Sequence, residues 1–305
     1  MDESPSICNY IVAHLDILGQ EEHLARLAKI DLRDIHKAMD TDDFHESMTK
    51  TFGAIDRFRN RFGNFLAESC SRRPCPSIIS ESERKEYEKI AGLAKIRLQP
   101  LADALVISTC LMHLPPYTAM NSLYAILLEC AILVPMFLAE GNPIRGGIDL
   151  HWAIELKDGE IYGPAFYSAY HLESAVSEYP RITIGDGLIE YITTALSQSV
   201  ASDREGNHTR EIARMCGNLV SMDDDEKYVL DYLGSGCLDL MNDSGETTEV
   251  LRDLIPKAFR QAKAFLDKFR QEKNDKLARR YERLLKYYQS RAYVWAPEGI
   301  DFEAQ

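Results

Sequence analysis

The sequence predicts an α+β fold in which helices cover a sheet that is mostly antiparallel. Short apolar runs typical of strands alternate with segments of helical periodicity through residues 1–185. At two points, near 99–100 and 157–159, a turn signal rather than a helix separates successive strand-like runs. Strands joined by short turns pair antiparallel, so this order favours an antiparallel-rich sheet with helices packed on it.

The elements follow one another in a definite order. Leucines, isoleucines and phenylalanines at helical spacing support the first two helices, and serines and prolines mark the loop after them. The predicted elements are strand 11–19, helices 21–50 and 51–65, loop 68–82, helix 83–93, strands 96–98 and 101–108, apolar helix 120–139, strand 144–150, a helix from Pro164 to about 178, and strand 180–184.

The character of the chain changes near residue 200. An acidic stretch at 222–226 precedes a short apolar run at 228–233, and one long helix rich in Lys and Arg is predicted from about 247 to 293. We therefore expect a first domain over 1–200 and a mostly helical C-terminal extension over 201–305.

Composition narrows the classes of function. The chain has 305 residues, 45% of them hydrophobic, and a formal net charge of −13. Such a charge argues against a nucleic acid polymer as partner, because binding a polyanion needs a basic face. A small triphosphate remains possible, since it needs only a few local cations and a metal ion.

The sequence also predicts a cytoplasmic protein without a membrane partner. The N-terminus lacks the basic and apolar regions of a signal peptide. The apolar stretch 119–139 approaches membrane-spanning length, but Asn121, Glu129 and Pro135 within it favour a buried helix. The seven cysteines form no Cys-x-x-Cys pair and are expected to be reduced thiols.

Asp16 and Asp103 are the strongest candidates for chemistry. Each is a carboxylate at the rim of an apolar, strand-like run, where burial is costly unless the charge is paired or binds a metal ion. Together with the backbone carbonyl of Ile17 they could hold two divalent ions, Mg²⁺ or Mn²⁺. The alternative is that they are two unrelated aspartates at strand ends.

Four motifs in order resemble those of class III nucleotide cyclases, over roughly residues 9–200. Leu15-Asp16-Ile17-Leu18-Gly19 resembles their first metal motif, and Ala102-Asp103-Ala104 resembles the hairpin with their second metal aspartate. Ile144-Arg145-Gly146-Gly147-Ile148 is similar to their Gly-Ile strand. The segment Gly163 to Ser174 lies where the family carries its helix with transition-state residues. The resemblance implies a ferredoxin-like, class III cyclase-like sheet and a catalytic domain over 1–200.

The departures from the family's pattern concern the residues that would contact the base and the phosphates. Gln20 replaces a usual Phe, and Gln99 lies near the position of the Lys that reads a purine. Tyr167 and His171 fall where the family has the Asn and Arg that stabilise the transition state. The residues that select a purine and those that stabilise the anionic transition state therefore both differ from the family's pattern.

This combination resembles most closely the pyrimidine cyclases of bacterial Pycsar antiphage defence. Membership implies a homodimer with sites at the subunit interface, two Mn²⁺ or Mg²⁺ ions per site, and an effector protein activated by the cyclic nucleotide. The leading hypothesis is conversion of UTP to cyclic UMP, with CTP to cyclic CMP second. A purine cyclase and a degenerate nucleotide sensor without activity are the alternatives.

The other candidate residues keep two interpretations each. Arg145 and Arg181 could contact phosphate or form ion pairs within the protein. Tyr167 and His171 share a helical face and could act in the site or be partly buried aromatics. The remaining candidates for substrate contact are the base-reading Gln99, otherwise a solvated turn residue, and a possible stacking wall of Phe52 and Arg57, with core packing favoured for Phe52.

Overall fold

The fold is that of a computed structural model, which describes residues 7–71, 95–112, 114–156, 159–197, 204–243 and 246–300. The helix predicted at 83–93 lies outside the described residues, as do Lys157 and Asp158 of the predicted turn.

A four-stranded antiparallel unit forms the centre of the sheet. Its strands are β1 (Ile7–Ile17), β2 (Ile96–Leu101), β3 (Ala104–Cys110) and β4 (Ile144–Glu155), and they lie in the order β2-β3-β1-β4. Helices connect β1 to β2 and β3 to β4, so this order is that of a ferredoxin-like βαββαβ core. The predicted α+β fold with a ferredoxin-like sheet is confirmed.

Four further strands extend this sheet. β5 (Ile161–Tyr162) and β6 (Ile182–Ile184) both pair with the edge of β4 that faces away from β1, β5 antiparallel and β6 parallel. β7 (Val220–Met222) and β8 (Tyr228–Leu230) form a hairpin that joins through β8 to β6. The sheet is therefore mixed, with one parallel pair within an otherwise antiparallel arrangement.

Twelve α-helices are described, and several differ in length from the predicted segments. They are α1 (Gln20–Leu27), α2 (Ile35–Met39), α3 (Asp42–Lys50), α4 (Phe52–Ser71), α5 (Pro116–Ala139), α6 (Pro164–His171), α7 (Asp186–Ser197), α8 (Arg204–Asn218), α9 (Ser235–Asp243), α10 (Glu246–Gln271), α11 (Asp275–Ser290) and α12 (Ala292–Trp295). A π-helical turn, Leu172–Val176, continues α6.

The long basic helix predicted over 247–293 is wrong, because the chain reverses within it. α10 ends at Gln271, and Lys273 adopts a left-handed conformation with φ of 57°. Asn274 then caps α11 by accepting a hydrogen bond from the backbone N–H of Leu277. Stacking of Phe269 on Tyr281 holds the two helices together as a hairpin.

The two faces of β1 lie in different surroundings, since successive side chains of a strand point to opposite sides. Ile11, Leu15 and Ile17 face the main core, in which α4 and α5 pack. Cys8, Tyr10, Val12, His14 and Asp16 lie on the other side, here called the Asp16 face. A smaller apolar cluster with α6 covers part of that face.

The prediction that the apolar segment is a buried helix is confirmed. Among the helices that the structure describes, α5 is the one long and apolar enough to cross a membrane. Its most apolar window is 78% buried inside the protein, because α4, α8 and α10 pack around it. A helix that is apolar on all sides needs such cover within a globular fold.

Residues on both sides of position 200 share one core. The main apolar cluster includes Ile11 and Phe137 together with Ala213, Phe259 and Trp295. β7 and β8 also extend the sheet that β1 to β4 begin. The two segments predicted as domain and extension are thus built around the same interior.

Candidate metal and nucleotide site

The strand register brings Asp16 and Asp103 to the same end of neighbouring strands. β1 pairs antiparallel with β3, and Asp16 lies opposite Ala104. Asp103 directly precedes Ala104, in the two-residue turn that joins β2 to β3. The two carboxylates interact electrostatically, and the charge of Asp103 raises the pKa of Asp16.

The turn that carries Asp103 is held in an unusual conformation. Ala102 has a φ of 52°, a region that residues with a side chain adopt rarely. Arg59 of α4 donates a hydrogen bond to the backbone carbonyl of Ala102. This contact ties the hairpin turn to the helix behind it and so positions Asp103.

An ion pair completes the surroundings of Asp16. Arg145 of β4 lies directly opposite Asp16 in the sheet. Its Nη2 is 2.5 Å from Oε1 of Glu173 and 3.9 Å from Oδ2 of Asp16. Glu173 also lies near His14, whose Nδ1 is 3.7 Å from Oε2 of Glu173. Four ionisable side chains from three elements therefore meet at the end of β1, beside Asp103.

Gly147 explains how Glu173 reaches this cluster. Glu173 lies in the π-helical turn after α6, a local irregularity that is frequent at functional sites. A Cβ atom at Gly147 would lie 2.3 Å from the carbonyl oxygen of Ala169 and 2.8 Å from the backbone nitrogen of Glu173. Gly147 therefore allows the helix to pack closely on the strand.

Burial and like charge perturb the titration of the cluster. Burial, the charge of Asp103 and the charge of Glu173 raise the pKa of Asp16 to about 7, although Arg145 opposes the shift. Burial raises the pKa of Glu173 as well. Burial and the charge of Arg145 lower the pKa of His14 to about 4, so this imidazole is neutral near pH 7.

The donor set fits a hard divalent cation. Three carboxylates, Asp16, Asp103 and Glu173, meet with Arg145 as the only guanidinium bonded to any of them among the described residues. A divalent ion would relieve this excess of negative charge, and carboxylate and carbonyl oxygens are its preferred ligands.

Such a site would be open rather than a closed cage. In the described part of the chain, no group of three or more His, Cys, Asp and Glu side chains has metal-binding geometry. Asp16, Asp103 and the carbonyl of Ile17 would supply part of a coordination sphere, leaving positions for phosphate oxygens and water. Mg²⁺ typically binds in this way, with one or two carboxylates and substrate phosphates.

The start of α1 lies next to these carboxylates. Leu18 and Gly19 separate Ile17 from α1, and Gly19 has a φ of 90°. The unpaired backbone N–H groups at a helix start favour an anion. Gln20, the first residue of α1, is buried, and its Oε1 has no hydrogen-bond partner among the described residues.

Within a single chain, the side chains of Tyr167 and His171 do not reach this cluster. Their rings stack with centroids 6.0 Å apart on the outer side of α6, and 66% of Tyr167 is exposed. Phe166 and Tyr170 of the same helix instead pack edge-on against His14. The two predicted catalytic residues therefore face solvent.

Arg181 is committed to a structural ion-pair network. Its buried guanidinium bonds both carboxylate oxygens of Asp225 and also contacts Asp223. These contacts tie β6 to the β7–β8 hairpin and occupy the guanidinium of Arg181. Asp149 is likewise structural rather than solvent-facing, since it accepts hydrogen bonds from Ser168 and from the backbone N–H of Leu188 at the start of α7.

The remaining predicted substrate contacts lie on β2 and α4. Gln99 pairs with Val106 in the sheet and lies on the Asp16 face. Arg57 is 3.8 Å from Glu140, on the side of the sheet that α4 covers. The expectation that Phe52 packs in the core is wrong, because 66% of its surface is exposed at the first turn of α4.

Two members of the cluster were missed in the sequence. Neither Glu173 nor His14 is among the predicted site residues. His14 precedes Asp16 by two residues, and this spacing places both side chains on the same face of a strand. The pairing of Glu173 with Arg145, 28 residues away, depends on the packing of α6 on β4.

Comparison with known proteins gives a likeness in structure only. No family model matches the chain, and no curated protein matches it. The guanylyl cyclase domain of the RhoGC fusion protein from the fungus Blastocladiella emersonii is 13% identical, with a TM-score of 0.38 over 75% of this chain and 98% of that chain. The guanylate cyclase domain of RhGC from Catenaria anguillulae, in complex with GTP, is 16% identical, with a TM-score of 0.33 over 61% and 84%.

A third similar structure is a class III adenylyl cyclase-like ATP-binding protein from Pseudomonas aeruginosa. It is 14% identical, with a TM-score of 0.36 over 70% of this chain and 42% of that chain. TM-scores this low describe a partial likeness of the backbone, so the function of this chain is inferred below from its own residues.

Proposed function

We propose that this protein is a nucleotide cyclase that converts UTP to 3′,5′-cyclic UMP and diphosphate. One observation carries the proposal: the β1–β3 register brings Asp16 and Asp103 together at the end of a ferredoxin-like sheet, where their charges interact. Two carboxylates that share one site without enough cations to neutralise them are suited to bind a metal-bound triphosphate.

The residues of the chain would position the reactants. Asp16, Asp103 and the Ile17 carbonyl would hold divalent ions, Mn²⁺ or Mg²⁺, which promote attack of the ribose 3′-oxygen on the α-phosphorus and stabilise the departing diphosphate. The backbone N–H groups at the start of α1 would donate hydrogen bonds to phosphate oxygens, and Arg145, fixed by Glu173, would place a positive charge beside them. His14, which is neutral near pH 7, adds no charge to this arrangement.

The choice of a pyrimidine follows from the resemblance and from Gln99. An amide offers both a donor and an acceptor to a base edge, and Gln99 lies on the Asp16 face of the sheet. CTP is the second candidate substrate. The same resemblance suggests that the cyclic nucleotide activates a separate effector protein in antiviral defence.

Exposed Tyr167 and His171 support a homodimeric enzyme. Both face solvent in the single chain, yet the resemblance gives them roles near the reacting phosphate. We propose that the two residues act in the site of the other subunit, so that each site contains Asp16 and Asp103 from one chain and Tyr167 and His171 from its partner.

The activity is tested with the full chain, each of the four ribonucleoside triphosphates and Mn²⁺ or Mg²⁺, with products identified by mass spectrometry. We expect cyclic UMP as the main product. Asp16→Asn and Asp103→Asn should each lower kcat at least ~100-fold, because each removes a metal ligand. Asp56→Asn, an exposed carboxylate of α4, is the matched control. Full activity of either active-site variant contradicts the proposal.

The dimer is tested by mixing inactive variants. Asp16→Asn and His171→Ala proteins should regain activity when they exchange subunits, because one of the two sites in a mixed dimer is then intact. Mixing Asp16→Asn with Asp103→Asn should restore none, since both changes fall on the same side of every site. Equal results for the two mixtures would refute a shared site.

A further inference from the structure

Two cysteines meet near the end of β1 that lies far from Asp16. Cys8 of β1 and Cys110 of β3 are free thiols, and their Sγ atoms are 3.0 Å apart. Cys8 precedes Asp16 by eight positions in the same strand, which corresponds to about 27 Å at the usual rise of a strand. The two thiols therefore lie outside the candidate metal site.

The register of the two strands explains this contact. Tyr10 lies directly opposite Cys110, and Cys8 is two residues before Tyr10 on the same face of β1. The backbone N–H of Leu111 donates a hydrogen bond of 2.9 Å to the carbonyl of Asn9, which keeps the strands paired at this point. Diagonal neighbours on paired strands are close enough for their side chains to interact. The pairing of β1 with β3 thus holds the two sulfurs in contact.

The two sulfurs are close enough to form a disulfide bond. The S–S bond of a disulfide is about 2.05 Å long. From their separation of 3.0 Å, the Sγ atoms of Cys8 and Cys110 would need to approach by about 1 Å. A cysteine sulfur moves by rotation about a single side-chain bond, so small rotations of both side chains can supply this approach.

Cys110 is the thiol of this pair that an oxidant can reach. It lines a cavity of about 130 Å³ together with Lys95, Arg97 and Glu155, whereas Cys8 is buried. This cavity has room for hydrogen peroxide, since a water molecule takes up about 30 Å³. Oxidant-sensitive cysteines are typically partly exposed, close to cations and next to a second thiol. Burial and the contact with Cys110 raise the pKa of Cys8 to about 11, so Cys8 is a neutral thiol near pH 7.

We propose that Cys8 and Cys110 form an intramolecular disulfide when hydrogen peroxide oxidises the protein. Hydrogen peroxide transfers an oxygen atom to Sγ of Cys110, which gives a sulfenic acid and one water molecule. The sulfur of Cys8 then attacks Sγ of Cys110, so that the S–S bond forms and the oxygen leaves as a second water molecule. The two thiols lose two electrons and two protons in total, and the peroxide takes them up. This oxidation needs neither nucleotide nor metal ion, so it is independent of the proposed function.

The bond would change the stability of the protein. It would join β1 to β3 between cysteines that are 102 positions apart in the chain. A cross-link that closes so long a loop restricts the unfolded chain strongly. We therefore expect the Tm of the oxidised protein to exceed that of the reduced protein by roughly 5 °C or more, and dithiothreitol should reverse the increase.

The disulfide is tested by treating dilute full-length protein with hydrogen peroxide, blocking the remaining thiols and mapping its peptides by mass spectrometry without reduction. We expect one peptide pair joined through Cys8 and Cys110. Cys130 and Cys216, which are fully buried, should remain reduced. Cys216→Ala is the matched control variant, and it should form the same cross-link as the parent protein.

Two variants separate the roles of the paired cysteines. In Cys8→Ser, Cys110 should stop at the sulfenic acid and be labelled by dimedone, because no second thiol is in contact with it. In Cys110→Ser, Cys8 should stay a thiol. Circular dichroism checks that each variant is folded, and Cys8→Ala replaces Cys8→Ser if the serine disturbs the strand.

Three results would overturn the inference. The first is the absence of the cross-link in folded protein after peroxide treatment. The second is a disulfide that joins Cys8 or Cys110 to another cysteine or to a second chain. The third is an oxidant-dependent increase in Tm that persists in Cys8→Ser and Cys8→Ala, since neither variant can form the bond.

Discussion

At the residue scale, the cluster at the end of β1 has more negative charge than its own cation can neutralise. Asp16 illustrates the result, since burial and the carboxylates of Asp103 and Glu173 raise its pKa to about 7. Asp16 therefore exchanges its proton in the physiological range. A metal ion at this position must displace that proton, so the affinity for metal should increase with pH across this range.

The raised pKa also makes a prediction about stability without metal. A carboxyl whose pKa is higher in the folded protein contributes stability that is fully present at low pH and is lost as pH rises from the ordinary carboxyl value through about 7. Asp16→Asn removes the charge, so it should stabilise the metal-free protein at pH 8 by about 4 kcal/mol, since the pKa rises from its ordinary value of 3.8 to about 7 and each unit corresponds to about 1.4 kcal/mol.

Urea unfolding of both proteins at pH 4 and pH 8 in the presence of a chelator measures this effect. The difference between Asp16→Asn and the parent protein should be small at pH 4 and appear at pH 8. Asp56→Asn should show no such growth with pH. A stabilisation that is equal at both pH values would mean that folding does not raise the pKa of Asp16.

At the element scale, the approach of α6 to β4 decides the geometry of the site. The missing side chain at Gly147 lets the end of α6 and the following π-helical turn lie on the strand, and Glu173 reaches Arg145 as a consequence. The same contact leaves Tyr167 and His171 on the outer side of the helix. One glycine therefore determines both the inner and the outer surface of this element.

Gly147→Ala should separate α6 from β4. Its Cβ would meet backbone atoms at 2.3 and 2.8 Å, which cannot move without shifting the helix, so we expect a loss of about 2–4 kcal/mol in the free energy of unfolding. Gly217→Ala is the matched control, because a Cβ there meets nothing closer than 3.9 Å and it lies in α8. It should stabilise by about 0.5–1 kcal/mol. Chemical denaturation compares the two, and similar effects of both would contradict the packing role.

At the scale of the whole molecule, the C-terminal segment is part of the structure that the site needs. α8 and α10 cover the apolar helix α5, and the β7–β8 hairpin extends the sheet through β6. Arg181 joins β6 to that hairpin through Asp223 and Asp225. The site at the end of β1 is therefore supported by residues more than 200 positions away.

An unpaired charge buried in the core that residues 1–200 and 201–305 share should unfold both segments. Ala213 of α8 is fully buried in the shared core, whereas Arg214 beside it is exposed. Ala213→Asp should cost at least about 3 kcal/mol because it buries an unpaired carboxylate, and Arg214→Asp should cost little. Hydrogen exchange then reports which strands open. Loss of protection in α8 with β1 and β4 still fully protected would show that the segments unfold independently.

Much of the candidate site was accessible from sequence because the patterns are local. Apolar runs around Asp16 and Asp103 mark strands. The turn predicted at 99–100 is wrong, because Gln99 and Pro100 pair within β2 and the chain turns at Ala102 and Asp103 instead. The buried helix at 116–139 follows from its polar residues and length in the same way. Side-chain roles were less accessible: Arg181 was a candidate for substrate contact, yet its partners Asp223 and Asp225 are more than 40 positions along the chain.

The sequence by itself determined the alternation of strands and helices, the burial of α5 and the pair of aspartates, since each depends on neighbours within a few residues. Only the tertiary structure decided that Glu173 fixes Arg145 and that the basic segment folds back at Lys273. These contacts join residues far apart in the chain. Their free energy comes from packing and charge in three dimensions, which no local pattern of residues specifies.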